Sequence, residues 1–188
     1  MTLKIRWSSR STAAAAAMTA MMVVAPVIAA TDAHATVGDG KYGFLNYKSV
    51  LANSYQAMTA SNARNAYPVI LNPRVVVNSD YTPVQLWKET TVNGYKRYTN
   101  ATTQLNLGVS GGSTAENAEI IAATPDGSLN QDWFTQSYSA YPSNVVRIVN
   151  RKSGLCIGTN GGAVTTNTVL IQHTCDGSQN QGWYKQDS

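Results

Sequence analysis

The sequence predicts an all-β protein of twelve short strands, built as three related lobes that close on a pseudo-threefold axis. Three observations predict it. The chain repeats itself at a period of fifty residues, each copy closes on a Gln-x-Trp, and short apolar runs alternate with turns rich in Gly, Asn and Asp.

In chain order, the first element is a leader. Lys4, Arg6 and Arg10 precede an apolar run from Ala13 to Ala30, and Ala33-His34-Ala35 follows as a small-x-small cleavage pattern. This is the organisation of a secretory signal peptide over residues 1–35. A membrane anchor is the competing reading; the Ala-rich composition, Pro26 and the cleavage pattern count against it. The remaining chain, 36–188, has the length of one domain with a real core. Removing the leader takes away three basic residues and Asp32, so the formal charge falls from +4 to +2. No Lys/Arg cluster points to nucleic acid, and no later apolar run is long enough to span a bilayer. A low charged fraction with many polar turn residues suits an extracellular β-protein.

The two later lobes align without a gap. Arg97–Gln136 and Arg147–Gln186 are identical at 16 of 40 positions, including Asn100/Asn150, Gly108/Gly158, Asn117/Asn167, Asn130/Asn180, Gln131/Gln181 and Trp133/Trp183. The first lobe is looser. "FLNYKSVL" (Phe44–Leu51) parallels "IVNRKSGL" (Ile148–Leu155), and the copy ends in Gln85-Leu86-Trp87. Asn46 to Trp87 spans 41 residues against 33 in the other lobes, which places about eight extra residues within Asn72–Thr82. The repeats thus run over about 43–90, 95–137 and 145–188.

Trp87, Trp133 and Trp183 each close a repeat, as a core packing device would. The Gln two positions earlier has an amide that both donates and accepts, and so can tie a turn. In the last lobe, strands are expected at Val145–Val149, Leu155–Gly158, Val169–Thr174 and Gly182–Lys185, with turns at "TNGG" and "CDGSQN". No amphipathic helix is expected after the leader. Asn100-Ala101-Thr102 is a glycosylation sequon, but Asn100 is the repeat-fixed Asn and reads as structural. Cys156 and Cys175 are the two cysteines. Two free thiols or half a metal site are the alternatives to a bridge; export favours pairing, and with His173 the one His after the leader, zinc has too few ligands.

The stretch "SGLCIGTNGG…NTVLIQHTCDGSQNQGW" (Ser153–Trp183) closely resembles the ricin-type β-trefoil lectin repeat. The resemblance is specific in the last lobe, good in the second and loose in the first. It implies a β-trefoil with a disulfide between Cys156 and Cys175; in the second lobe Asn106 and Pro125 replace the cysteines. It also implies a shallow sugar site on a lobe, with an aromatic under the ring, an Asp after the second-strand Cys, and the Asn of the motif on the hydroxyls. Carried over, the aromatic position holds His173 in the last lobe and Ala123 in the second. The motif supplies Asn180 and Gln181, or Asn130 and Gln131. The Asp position holds Gly158, Gly108 and, in the first lobe, Ser54. Asn160 and Asp176 are candidate substitutes. Turn stabilisation is an equal reading of Asn180 and Gln181.

The expected function is therefore a secreted carbohydrate-binding module. It takes a glycan or polysaccharide weakly and gains avidity through several lobes. The alternative is a secreted protein-interaction trefoil, a toxin or adhesin subunit or an enzyme inhibitor, using Tyr47, Tyr55, Tyr67 and Tyr81 of the divergent first lobe. No cofactor motif is present, since "GVSGG" at Gly108–Gly112 reads as a turn. No nucleophile and base stand at a spacing that suggests catalysis.

Overall fold

A computed structural model describes residues 40–77 and 80–188; the expected leader, 1–35, lies outside the described residues. Each lobe contributes four strands. They are Lys41–Asn46, Gln56–Thr59, Ile70–Pro73 and Leu86–Val92 in the first lobe; Tyr95–Asn100, Asn106–Val109, Ile120–Ala123 and Trp133–Ser137 in the second; and Val145–Asn150, Cys156–Thr159, Leu170–His173 and Trp183–Asp187 in the third. The twelve expected strands are present. The first lobe adds three two-residue strands: Tyr67–Pro68, Val76–Val77 and Asp80–Tyr81.

The first and fourth strands of each lobe pair antiparallel around a ring that returns to its start. Closure leaves this barrel with no unpaired edge. The second and third strands of each lobe form a hairpin. The hairpins interlock cyclically. Ala66 N–H donates to Ala122 C=O, Asn117 N–H to Gln172 C=O and Asn167 N–H to Leu71 C=O, at 2.9, 2.8 and 2.7 Å. All three donors have φ between +61° and +66°. Asn tolerates that left-handed conformation better than most residues, which accounts for Asn117 and Asn167 recurring.

Trp87, Trp133 and Trp183 are fully buried in one apolar cluster with Phe44, Tyr98 and Ile148. Each indole N–H donates to a second-strand carbonyl: Met58 at 3.2 Å, Leu107 at 2.9 Å and Ile157 at 3.0 Å. The repeat-fixed asparagines are fully buried as well. Each donates to the preceding lobe's closing motif: Asn46 to Asn180 C=O, Asn100 to Val84 C=O and Asn150 to Asn130 C=O. Their carbonyls accept from their own following turns. These asparagines therefore join lobe to lobe. Replacing Asn100 by Ala leaves the Thr102 and Thr103 N–H groups without partners and takes from the Val84 carbonyl one of its two donors, the other being Ala60 N–H. We expect a loss of about 2–3 kcal/mol, measurable by urea unfolding; a loss below about 1 kcal/mol would refute this role.

Two expectations need correcting. The extra residues of the first lobe do not all fall within Asn72–Thr82. The indole-to-carbonyl bond spans 29 residues there against 26 in the other lobes, so three belong to that half. The other five lie in the turn after Asn46, where a single-turn helix, Tyr47–Leu51, is capped by the Asn46 side chain. Leu51 consequently ends that helix, 52% exposed, and is not the counterpart of Leu155. The helix itself is too short to carry an amphipathic face.

Candidate functional site

The second and third lobes each open a cleft at the same place, between the second-strand turn and the closing Asn-Gln motif. The third-lobe cleft encloses about 290 Å³ and is lined by Thr159, His173, Asp176, Asn180 and, from the second lobe, Asn117. The second-lobe cleft encloses about 470 Å³ and is lined by Ala123, Asp126, Asn130 and, from the first lobe, Asn65 and Ala66. Both are composite, because the hairpin interlock brings a neighbouring lobe to the rim.

Their floors are set by the glutamines. Gln131 and Gln181 are each 1% exposed. Their amide N–H groups donate to Thr124 and Thr174 carbonyls at 2.8 and 2.7 Å. Gln181 Oε1 accepts from Asp176 N–H, and Gln131 Oε1 from Asn106 Nδ2. Gln85 ties the first lobe the same way, to Pro73 C=O and Val75 N–H. The amide N–H groups are thus spent at or just after the end of the third strand.

The paired asparagines, alike in sequence, differ in space. Asn130 is 9% exposed, donates to Val109 C=O at 3.1 Å and accepts from Ser128 Oγ. Asn180 is half-buried and accepts from Ser178 Oγ at 2.7 Å, while its Nδ2 makes no hydrogen bond among the described residues. The Thr159 hydroxyl is buried and unpartnered too, but on the opposite, core-facing side of its strand, where Val109 of the second lobe joins the central cluster. The third-lobe cleft therefore keeps an amide donor that the second has satisfied. Asn160 begins the turn Asn160–Gly162 and is exposed, flanked by wall residues but not on the wall.

His173 ends the third strand, paired in register with Cys156. Its Nε2 stands 3.4 Å from the Glu116 carboxylate of the second lobe. Glu116 also accepts from Thr174 Oγ1. That hydrogen bond, with the nearby His173, holds the Glu116 carboxyl below the usual carboxylate range. Partial burial pushes Asp176 up, but hydrogen bonds from Ser178 outweigh it and hold that carboxyl low. Both acids are thus charged at neutral pH. Glu116 and the cleft-lining Asn117 were missed from sequence, though Asn117/Asn167 recurs in the repeat. Among the described residues, no group of three or more His, Cys, Asp or Glu side chains is placed to hold a metal ion.

The missing acidic anchor has a steric account. A Cβ on Gly158 would stand 3.1 Å from Asn180 Nδ2 and 3.2 Å from Gln181 Cγ. We expect Gly158→Ala to cost about 1–2 kcal/mol through that crowding, measured by thermal melting; an unchanged melting temperature would show that the floor yields. Ser54 is not the first-lobe counterpart. It lies in the turn before the second strand and donates to Ser49 C=O. Thr59, one residue beyond the carbonyl that bonds Trp87, occupies the position of Gly108 and Gly158. The five-residue extension after Asn46 caused the misplacement.

Cys156 and Cys175 form a disulfide with Cα atoms 5.1 Å apart, fixing the loop that carries Asp176 to the strand under the cleft. With the three-lobed barrel and this cleft in view, the family model of the ricin-type β-trefoil lectin domain matches residues 50–183. The chain belongs to that family. No curated sequence matches it. Solved structures that resemble this ricin-type domain include a designed threefold-symmetric protein, ThreeFoil, with 22% identity, a TM-score of 0.68, and coverage of 80% of this chain and 100% of the other. A Macrolepiota procera ricin B-like lectin in complex with lactose shows 18% identity, a TM-score of 0.64 and coverage of 79% and 95%. An exo-β-1,3-galactanase from Clostridium thermocellum shows 21% identity and a TM-score of 0.68; the match covers 80% of this chain but 30% of that enzyme. At these identities the likeness is one of fold.

Proposed function

We propose that this protein is a secreted carbohydrate-binding module without catalytic activity, and that its principal site is the third-lobe cleft. The observation that carries the reading is the pair of unspent groups there: Asn180 Nδ2 and the half-exposed His173 ring meet in one shallow cleft. A sugar presents C–H faces to a ring and hydroxyls to such donors and acceptors. Galactose-containing glycans are the first to try, since a ricin B-like neighbour holds lactose. A single shallow cleft binds weakly, and a polymer bridging the second and third lobes gains avidity. The disulfide supports passage through an oxidising compartment. Among the described residues no helix is long and apolar enough to cross a membrane. Catalysis finds no support in the cleft: His173 faces Glu116, and among the described residues no hydroxyl or thiol is hydrogen-bonded to the imidazole.

The test is a glycan panel that includes lactose and β-1,3-galactan, probed with wild type, His173→Ala and Asn180→Ala. Either substitution is expected to weaken binding about tenfold. Equal binding by all three proteins would remove this cleft as the site. One observation favours a second reading, a protein partner: Val75, Val76 and Tyr55 of the first lobe are between 42% and 46% exposed. A blank panel, with a purified partner whose binding is lost in Val76→Asp, would favour it.

A further inference from the structure

We infer that Glu116, carried by the second lobe, contacts the ligand in the third-lobe cleft and supplies the carboxylate that Gly158 leaves out. The inference rests on the carbohydrate reading above and adds a residue from another lobe to the site. Gly158 cannot easily take an acid, because a side chain there meets Asn180 and Gln181. Asp176 lines the cleft as well, but its carboxylate accepts from Ser178 N–H; the hairpin interlock delivers a second one. Gln172 donates through Nε2 to the Ser113 and Ala115 carbonyls, and backbone bonds join Asn117 to Gln172 and Gln172 to Ala118. The Glu116 backbone is therefore fixed against the third strand before any ligand arrives, which lowers the ordering cost of binding.

The side chain is placed to act. Glu116 sits within 3.4 Å of the His173 imidazole and accepts from Thr174, yet remains 46% exposed. A carboxylate offers about four lone-pair sites, so two are left for hydroxyl donors. The unspent Asn180 Nδ2 in the same cleft is an independent sign that it is built for a polar occupant. The second-lobe cleft provides the contrast. There Asn65 takes the Glu116 position and accepts from Thr124 N–H at 2.8 Å, facing Ala123 in place of His173. Acid and imidazole meet at the edge of the third-lobe cleft, through His173, and not at the second.

The experiment compares wild type, Glu116→Gln and Glu116→Asp for binding to lactose and to immobilised β-1,3-galactan, with melting curves alongside. The expected result is an affinity loss of about tenfold or more in Glu116→Gln at an unchanged melting temperature, with Glu116→Asp retaining most of the affinity. Wild-type binding with Glu116→Gln unaffected overturns the role of Glu116 and leaves the carbohydrate reading intact. No binding by wild type to either probe or to the wider panel overturns both. Should Glu116→Gln also melt lower, Glu116→Asp decides: retained affinity supports the inference and lost affinity overturns it.

Discussion

Trp133→Ala is expected to destabilise the protein by about 4 kcal/mol, which lowers the melting temperature by roughly 8–16 °C in a domain of this size. The indole is fully buried and belongs to the central cluster. Truncation removes its apolar contacts and leaves a cavity that the surrounding ring cannot collapse into, because every ring strand is held on both sides. It also strands the Leu107 carbonyl, which accepts the indole N–H at 2.9 Å. Trp133→Phe separates the two effects: it keeps much of the volume, loses the hydrogen bond and should cost about half as much. Urea unfolding with an unchanged m-value is the appropriate measurement. Trp87 and Trp183 occupy equivalent places, so their alanine variants should fall within about 1 kcal/mol of Trp133→Ala. A Trp133→Ala protein that loses less than about 1.5 kcal/mol would remove the indole from its anchoring role.

The second large effect belongs to the disulfide. Replacing Cys156 and Cys175 together by Ala should cost about 3 kcal/mol, the chain-entropy value for a closed loop of 19 residues. The loop it closes contains the third strand, His173 and Thr174, so the variant should also bind carbohydrate more weakly. The second lobe shows why the cost should be confined to the third. There Asn106 occupies the Cys156 position, donates to Gln131 Oε1 at 2.9 Å and accepts from Thr99 Oγ1 at 2.7 Å. That lobe holds its loop by hydrogen bonds and does not depend on the bridge. Calorimetry of wild type with and without reductant gives the stability term, and the lactose assay gives the binding term. A reduced protein that melts and binds like the oxidised one would show that Gln181 alone fixes the loop.

The repeat determined the architecture. A period of fifty residues, one Trp per copy and one Asn per copy can be satisfied together when three like lobes close on each other, because each Trp fills a shared interior and each Asn reaches into the preceding lobe's closing motif. The cysteines and the glycine turns were legible for the same reason, since they act within one lobe over short sequence distances. The tertiary structure decided the rest. Asn130 and Asn180 read alike, yet one is spent on Val109 and the other keeps a free donor. Ser54 and Thr59 could not be told apart until the indole bond fixed the register of a lobe with two insertions. Glu116 lies 57 residues from His173 along the chain and 3.4 Å from it in space. Sequence periodicity reports contacts that recur within each lobe, whereas a contact made once, across a seam between lobes that have diverged, leaves no periodic trace and appears when the ring has closed.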